Sequence, residues 1–452
     1  MLSIAAALHR IKGRVTQSVP ESLILRLCHE VGHRWRDRDL GPVVTTHLFL
    51  HQVLHGNSAV GELRRRTGLT FTDPAYAQAR ARLPRPLLER LQRAVTGTLV
   101  STTDLAAAGL WHGHRVFLID GSSFSMPDTA ALRQQFGQPS GQAEGCGFPV
   151  AHLLTRFDAA SGFLLHTAAV PLRSHDLSGV VALHADLCRG DVLVGDRAFG
   201  SYAHLALCLR RGLHGLFRAH QKQVIDFRPH RRHATAQTRA AGETGLPTSR
   251  WLRRLGKHDQ LVEYVRPKKR PAWLTPEQYA QLPASIVVRE VRYRIKERGR
   301  RTRVVTLVTT LLDPGHYPAK ELAKLYGLRW QVETDLKHLK QTLGMDVLRC
   351  KTVEGVLKEL TLFVLIYNLV RRVMCEAARR QEVRPERISF IDAWRWLRFA
   401  QPGDVLPELI VNRDRPGRAE PRVRKRRPKQ FPVMKRPRAQ LRKEMIKKRL
   451  AS

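Results

Sequence analysis

Apolar residues recur at helical spacing through the first hundred positions, most clearly over residues 23–28 and 43–54. This periodicity predicts an N-terminal helical domain over residues 1–108, assigned to DNA binding. Within it, residues 59–66 read as a helix that ends at Gly68. Thr72 or Asp73 then caps a second helix with Pro74 in its first turn. The helix, turn, helix pattern leaves two readings open. Tyr76, Gln78, Arg80 and Arg82 on the second helix either read or clamp DNA, or belong to a plain helical hairpin whose arginines face water.

From residue 109 the period changes. Short apolar runs at 115–120, 148–157, 163–170, 191–196 and 215–218 predict strands, with helices at 177–188 and 203–211 between them. The runs at 148–157 and 163–170 are joined by a short segment ending in Gly162 and read as a hairpin. A hairpin followed by strand and helix alternation predicts an α/β unit with a mixed sheet over residues 109–220. Residues 221–303 interrupt it with a polar, basic stretch and β-like runs at 260–265 and 285–295, which predicts an inserted β-rich subdomain. On the second run, Val287, Arg289, Val291, Arg292, Tyr293 and Arg294 alternate; the arginines either line DNA or face solvent on a half-solvated strand. The α/β unit resumes over 304–400, with a strand at 304–312, a turn at Asp313, Pro314 and Gly315, and helices at 353–380 and 390–399. Residues 401–452 form a basic tail, too charged to fold alone, that either binds phosphates without regard to sequence or is merely solvated.

Two of the predicted strands end in an aspartate. Asp120 closes the run before Gly121, Ser122 and Ser123, and Asp196 closes the run before Arg197, Ala198 and Phe199. An acid at the carboxyl end of a buried strand projects into a crevice. A third acid sits in YGLRWQVETDLKHLK, residues 326–340, where steps of three, four and seven place Tyr326, Arg329, Glu333 and Lys340 along one stripe of a helix. A carboxylate between two cations suits the holding of a metal ion beside a phosphate. Spacing alone leaves a solvated helix laced with ion pairs equally open. Asp120, Asp196 and Glu333 together make a candidate set of oxygen ligands for a hard divalent cation. Trp330 and Trp273 are candidates for stacking on an unpaired base, with packing the default for both.

With these motifs in this order, the chain resembles the DDE transposases of the insertion-sequence-four family, marked by a Y-x2-R-x3-E-x6-K signature. Tyr326, Arg329, Glu333 and Lys340 fill all four signature positions, Asp120 matches the first acidic motif (DGSS) and Asp196 the second (GDRAFGSY). The resemblance implies a ribonuclease H-like catalytic fold, a mixed sheet flanked by helices, with the insertion between the second aspartate and the glutamate. It also implies Asp120, Asp196 and Glu333 as catalytic and metal-binding residues, and Tyr326, Arg329 and Lys340 as substrate-binding residues. Two Mg²⁺ ions, replaceable by Mn²⁺ and bridged by Asp120, are then expected to activate a water or 3′-hydroxyl and stabilise the leaving oxygen. The implied function is that of a transposase that binds the terminal inverted repeats of an insertion sequence and cuts and transfers DNA strands. Its partners are double-stranded DNA at transposon ends and target, and a second copy in a homodimeric end complex. A non-transposing metal-dependent nuclease and a catalytically retired DNA-binding protein are the alternatives; the intact acids weigh against the second.

Composition narrows the partner further. The 452 residues hold 78 Lys plus Arg against 39 Asp plus Glu, a formal net charge of +39, which calls for a polyanion; nucleic acid leads because phosphate neutralisation releases counterions. Ribosomal and anionic-membrane proteins share such charge, so the motifs choose, not the charge. The apolar stretch at 360–370 is too short to span a membrane and contains Asn368. With no leader pattern at the start, a cytoplasmic, nucleoid-associated bacterial protein is expected. Six scattered cysteines without a C-x-x-C pair argue against a zinc ribbon and a disulfide scaffold. His230, Arg231, Arg232 and His233 read as a basic loop rather than zinc ligands.

Overall fold

The computed structural model describes residues 17–102, 110–139, 146–172, 176–231, 245–295, 304–401, 403–413 and 436–451, and among these described residues five helices precede the first strand. They are α1 (Glu21–Glu30), α2 (Pro42–Leu54), α3 (Val60–Thr67), α4 (Asp73–Arg82) and α5 (Arg85–Thr102). Helix α3 stops because Gly68 turns left-handed at φ 64°, and the Thr72 hydroxyl caps α4 by accepting from the Ala75 amide. The four candidate DNA-reading residues of α4 divide between two faces. Tyr76 is buried with its hydroxyl on Gln52 at 2.9 Å, while Arg80 lies 3.7 Å over the Phe49 ring and donates to Cys350 Sγ at 2.8 Å. Only Gln78 and Arg82 stay exposed. Tyr76 and Arg80 are therefore packing residues, because α4 needs an inner face to sit on the body of the protein.

The sheet begins with β1 (Val116–Ser125), followed by α6 (Ala130–Phe136), β2 (Val150–Asp158) and β3 (Leu164–Pro171). A 3-10 helix at Asp176–His184 stands where an α-helix was expected, and is followed by β4 (Val192–Gly195), α7 (Tyr202–Arg210) and β5 (His214–Arg218). Next come β6 (Thr248–Gly256), β7 (Asp259–Val265), α8 (Pro276–Ala280), β8 (Ser285–Arg294) and β9 (Val304–Thr309). The nine strands form one sheet in the order β3-β2-β1-β4-β5-β9-β8-β7-β6. Strand β2 pairs antiparallel with both β1 and β3, whereas β4 pairs in parallel with both β1 and β5. That is the ribonuclease H-like mixed sheet, with helices on its faces.

The inserted strands extend this sheet instead of building another. β8 zips along β9 from Arg289↔Thr309 to Arg294↔Val304, and β9 in turn pairs with β5. This pairing also corrects the reading of the β8 arginines as a DNA-lining row. Arg289 is fully buried, bidentate to Asp259 at 2.8 and 2.5 Å, and donates to the Tyr317 carbonyl at 2.7 Å. Arg292 donates to the Thr306 hydroxyl and covers the Phe227 ring, so only Arg294 of the three is exposed.

Beyond the sheet lie α9 (Ala319–Gly327), α10 (Arg329–Lys337), a π turn at His338–Thr342, α11 (Val353–Arg380), α12 (Phe390–Phe399) and α13 (Arg438–Ala451). Helix α11 is the central post of the main core: the apolar stretch read above is its buried middle, and Asn368 bonds both backbone groups of Leu164. Among the described residues, no helix is long and apolar enough to cross a membrane. The tail, too charged to fold alone, forms α13 against the body of the protein. Its Arg438 bonds Asp128 at 3.2 Å and covers the Phe148 ring at 3.8 Å, contacts that the charge pattern alone does not reveal. Residues 414–435, with the densest basic run, lie outside the described residues, as do Arg232 and His233.

Candidate active site

Register places the two aspartates side by side. In the parallel β1 and β4 pair, Ile119 faces Gly195, so the next residue on each strand is an acid. A residue with a side chain does not fit at Gly195: a Cβ there would lie 2.9 Å from Ile119 Cγ1 and 3.0 Å from Phe199 Cδ2. Strand β4 ends at once, and Asp196 turns the chain by accepting from the Ala198 amide at 2.7 Å. Strand β1 does not end, contrary to the reading of Asp120 as a strand terminus. Its antiparallel partner β2 pairs with it as far as Ser125↔Val150, so Asp120 lies mid-strand and the crevice opens only because β4 stops beside it.

Glu333 arrives from α10. Tyr326 belongs to the preceding helix α9, and a tighter turn at Leu328, marked by Leu328 donating to the Leu325 carbonyl, separates the two. Arg329 and Glu333 then face one way on α10, joined at 3.0 Å. Lys340 lies in the π turn, so the single helical stripe predicted from the spacing is in fact two helices and a wider turn. Its ammonium nonetheless reaches Ser122 Oγ at 3.0 Å, two residues from Asp120 on the same side of β1. The chain after the π turn is pinned to the far end of β1, with Ser125 donating to the Asp346 carbonyl and Leu348 to that of Ser125, both at 2.9 Å.

These elements give one electrostatic neighbourhood. Burial raises the Asp120 carboxyl from its usual range to about 6; Asp196 and Glu333 push it further up, while the Gly121 amide at 2.8 Å and Arg329 pull it down. Arg329 is nearly buried, covers the Trp330 ring at 4.6 Å, and its Nε has no partner among the described residues. Tyr326 is buried beside Arg329, and burial raises its phenol above the usual range. Lys340 is shifted down by desolvation, with Asp346 opposing. All six predicted residues thus fall in this region, with Glu333 the most exposed of the acids in its side chain at 50%. Trp330 is partly exposed, while Trp273 packs at the second core.

Two features escaped the sequence. Ser122, as the seat of Lys340, was signalled only by its alternation with Asp120. Behind α10, Asp335 pairs with Arg371 of α11 at 3.7 Å, both nearly buried, and Arg371 also holds the Ser161 carbonyl at 2.6 Å. An arginine in the middle of an apolar helix was the available sign.

The chemistry of such a set is plain. Three carboxylates without nitrogen or sulfur suit a hard divalent cation, and adjacent Arg and Lys suit phosphate oxygens.

Comparison with known proteins agrees with the motifs. The model of the family described as "Transposase DDE domain" matches residues 111–369, more than half of the chain and a span that contains all six residues. The chain is 25% identical over 379 residues to the transposase InsG for insertion sequence element IS4 of Escherichia coli (strain K12), covering 79% of this chain and 78% of that protein. Among solved structures, a piggyBac transposase synaptic complex with hairpin DNA is similar at a TM-score of 0.40 and 11% identity, over 85% of this chain and 78% of that one.

Proposed function

Because the chain belongs to the transposase DDE domain family, we propose that it is the transposase of an insertion sequence, binding the element's terminal inverted repeats and catalysing metal-dependent cleavage and strand transfer of double-stranded DNA. The observation that carries this reading is the meeting of Asp120, Asp196 and Glu333 with Arg329 where β4 ends.

In this reading the three acids are the catalytic and metal-binding residues. The donor set fits: it is all oxygen, and the like charges that raise the Asp120 carboxyl are those a cation would offset. We assign two Mg²⁺ ions, with Mn²⁺ able to replace them, to these carboxylates; when bound they would lower the pKa of a water or 3′-hydroxyl and neutralise the leaving oxygen. The chain's own groups do the rest. Arg329, with one nitrogen on Glu333, grips a phosphate beside the scissile bond through its planar guanidinium. Lys340, seated on Ser122, meets a second phosphate further along β1. Tyr326 packs under Arg329 and orients it, its ring 5.9 Å from the guanidinium carbon.

An element has two ends, so an end complex needs two such sites, and a homodimer is the simplest source. The high positive charge serves the DNA contacts, and a bacterial cytoplasm, near the nucleoid, is where this substrate lies.

The test is cleavage and strand transfer on a duplex carrying the element's end. Glu333→Gln should lower Mg²⁺-dependent cleavage by at least about 100-fold while end binding stays intact. Cleavage at the normal rate would remove Glu333 from the site. Strand transfer from a precut end by the unaltered chain separates a transposase from a simple nuclease.

A further inference from the structure

Beneath the turn that carries Asp196, three side chains of a different chemistry meet in the core. His184 ends the 3-10 helix, and His204 and Cys208 stand four residues apart on one face of α7. All three are buried, with one ligand atom of each within 4.8 Å of the others. The imidazoles stack with centroids 5.1 Å apart, and their Nε2 atoms face each other at 2.9 Å. His204 Nδ1 lies 2.7 Å from the Phe199 carbonyl, which only accepts; Nδ1 is therefore the protonated nitrogen and Nε2 carries a lone pair. Anchoring of the outer ring nitrogen on a backbone carbonyl is how metal-bound histidines are held.

We propose that His184 Nε2, His204 Nε2 and Cys208 Sγ form a buried zinc site, separate in place and in chemistry from the carboxylates of the candidate active site. Imidazole and thiolate suit zinc, whereas the hard ions that favour carboxylates avoid sulfur. Burial brings the two histidines down from 6.5 to about 2 and about 4, so both are neutral ligands at neutral pH. Burial also lifts the Cys208 thiol to about 12, so it keeps its proton until a cation displaces it. Binding therefore replaces one thiol proton, released to solvent, with a zinc–sulfur bond, moves the proton by which His184 Nε2 donates to His204 Nε2 onto His184 Nδ1, and lets the thiolate offset one of the two positive charges. Zinc–nitrogen bonds of about 2.0–2.1 Å at tetrahedral angles require the facing nitrogens to part by a few tenths of an ångström. Three protein ligands leave one position open.

The consequence is local order. The site joins the 3-10 helix to α7, and through the Phe199 carbonyl it reaches the turn in which the Phe199 amide bonds the Asp196 carbonyl at 3.3 Å. The spacing His-x3-Cys on a helix was in the sequence; His184, twenty residues earlier, became its neighbour only through the fold. The inference stands apart from the transposase reading, since it concerns metal content and not activity.

Cobalt(II), a coloured stand-in for zinc, tests it on the metal-free full-length chain in excess Mg²⁺. The unaltered chain should show a thiolate-to-cobalt charge-transfer band that zinc abolishes. The band should persist in Cys188→Ala, which removes an exposed thiol, and vanish in Cys208→Ala. Zinc affinity should fall more than about 100-fold in Cys208→Ala, since even outer-shell partners are worth about 10- to 100-fold. Absence of the band from the unaltered chain, which needs no variant to fold, would overturn the proposal, as would its survival in Cys208→Ala.

Discussion

In the proposed site, Arg329 is the residue on which substrate and the candidate catalytic acids would meet. One terminal nitrogen holds Glu333 at 3.0 Å, the guanidinium is nearly buried against Trp330, and Nε has no partner among the described residues. A planar fork fixed in place suits a phosphate better than a flexible ammonium does. Arg329→Ala should therefore lower cleavage by about 100-fold, more than it lowers end binding in a gel-shift titration, and Arg329→Lys should not restore it. Equal losses in cleavage and binding would mark a merely structural arginine. Gly195 acts at the same scale by having no side chain. Gly195→Ala would force a methyl to within 2.9 Å of Ile119 and part the strands that carry Asp120 and Asp196. Urea denaturation should show a loss of about 1–3 kcal/mol; unchanged stability would mean that the strands are not so tightly apposed.

At the scale of elements, the candidate catalytic residues of α10 depend on what stands behind that helix. Asp335 and Arg371 are both nearly buried and pair at 3.7 Å. Arg371→Met should cost about 3–5 kcal/mol by leaving a buried carboxylate without its cation. Adding Asp335→Leu should recover much of the loss in thermal unfolding, whereas additive losses would mean the two do not interact. This support was only partly legible in the sequence. The signature spacing singled out Tyr326, Arg329, Glu333 and Lys340 as one set, but not the turn at Leu328 or the π turn under Lys340, which depend on how the following chain is tied to β1. Apolar runs revealed β4 and β5, buried in mid-sheet. They did not reveal β6, whose three arginines and lone tryptophan fall in what reads as a polar, basic stretch until β7 pairs with them. Nor did they show that β1 runs five residues past Asp120, since that extension exists only against β2. Arg289 looked like a surface arginine because its partner Asp259 lies thirty residues away in sequence.

For the whole molecule, buried histidines set the response to acid. Burial lowers His51 to about 3, His55, His204 and His338 to about 4, and His184 to about 2, all from 6.5. The unfolded chain takes up these protons as pH falls through 6.5 and the folded one does not, so their stabilisation is complete above 6.5 and is lost toward pH 4. Asp120, raised to about 6, and the buried Glu290 and Asp335, also raised, work the other way but are fewer. Melting temperature in chelator should therefore drop steadily from pH 7 to pH 4; a flat profile would contradict the burial of the histidines. The +39 charge predicts steep salt dependence as well: with six to ten phosphate contacts, end affinity should fall by roughly 10³- to 10⁵-fold between about 50 and 200 mM salt, and salt-independent binding would deny that role to the charge. The most direct test of the central claim is anomalous diffraction from crystals of the full chain soaked in Mn²⁺. The account predicts manganese density enclosed by the carboxylates of Asp120, Asp196 and Glu333. Manganese bound elsewhere, with that crevice empty, would contradict it.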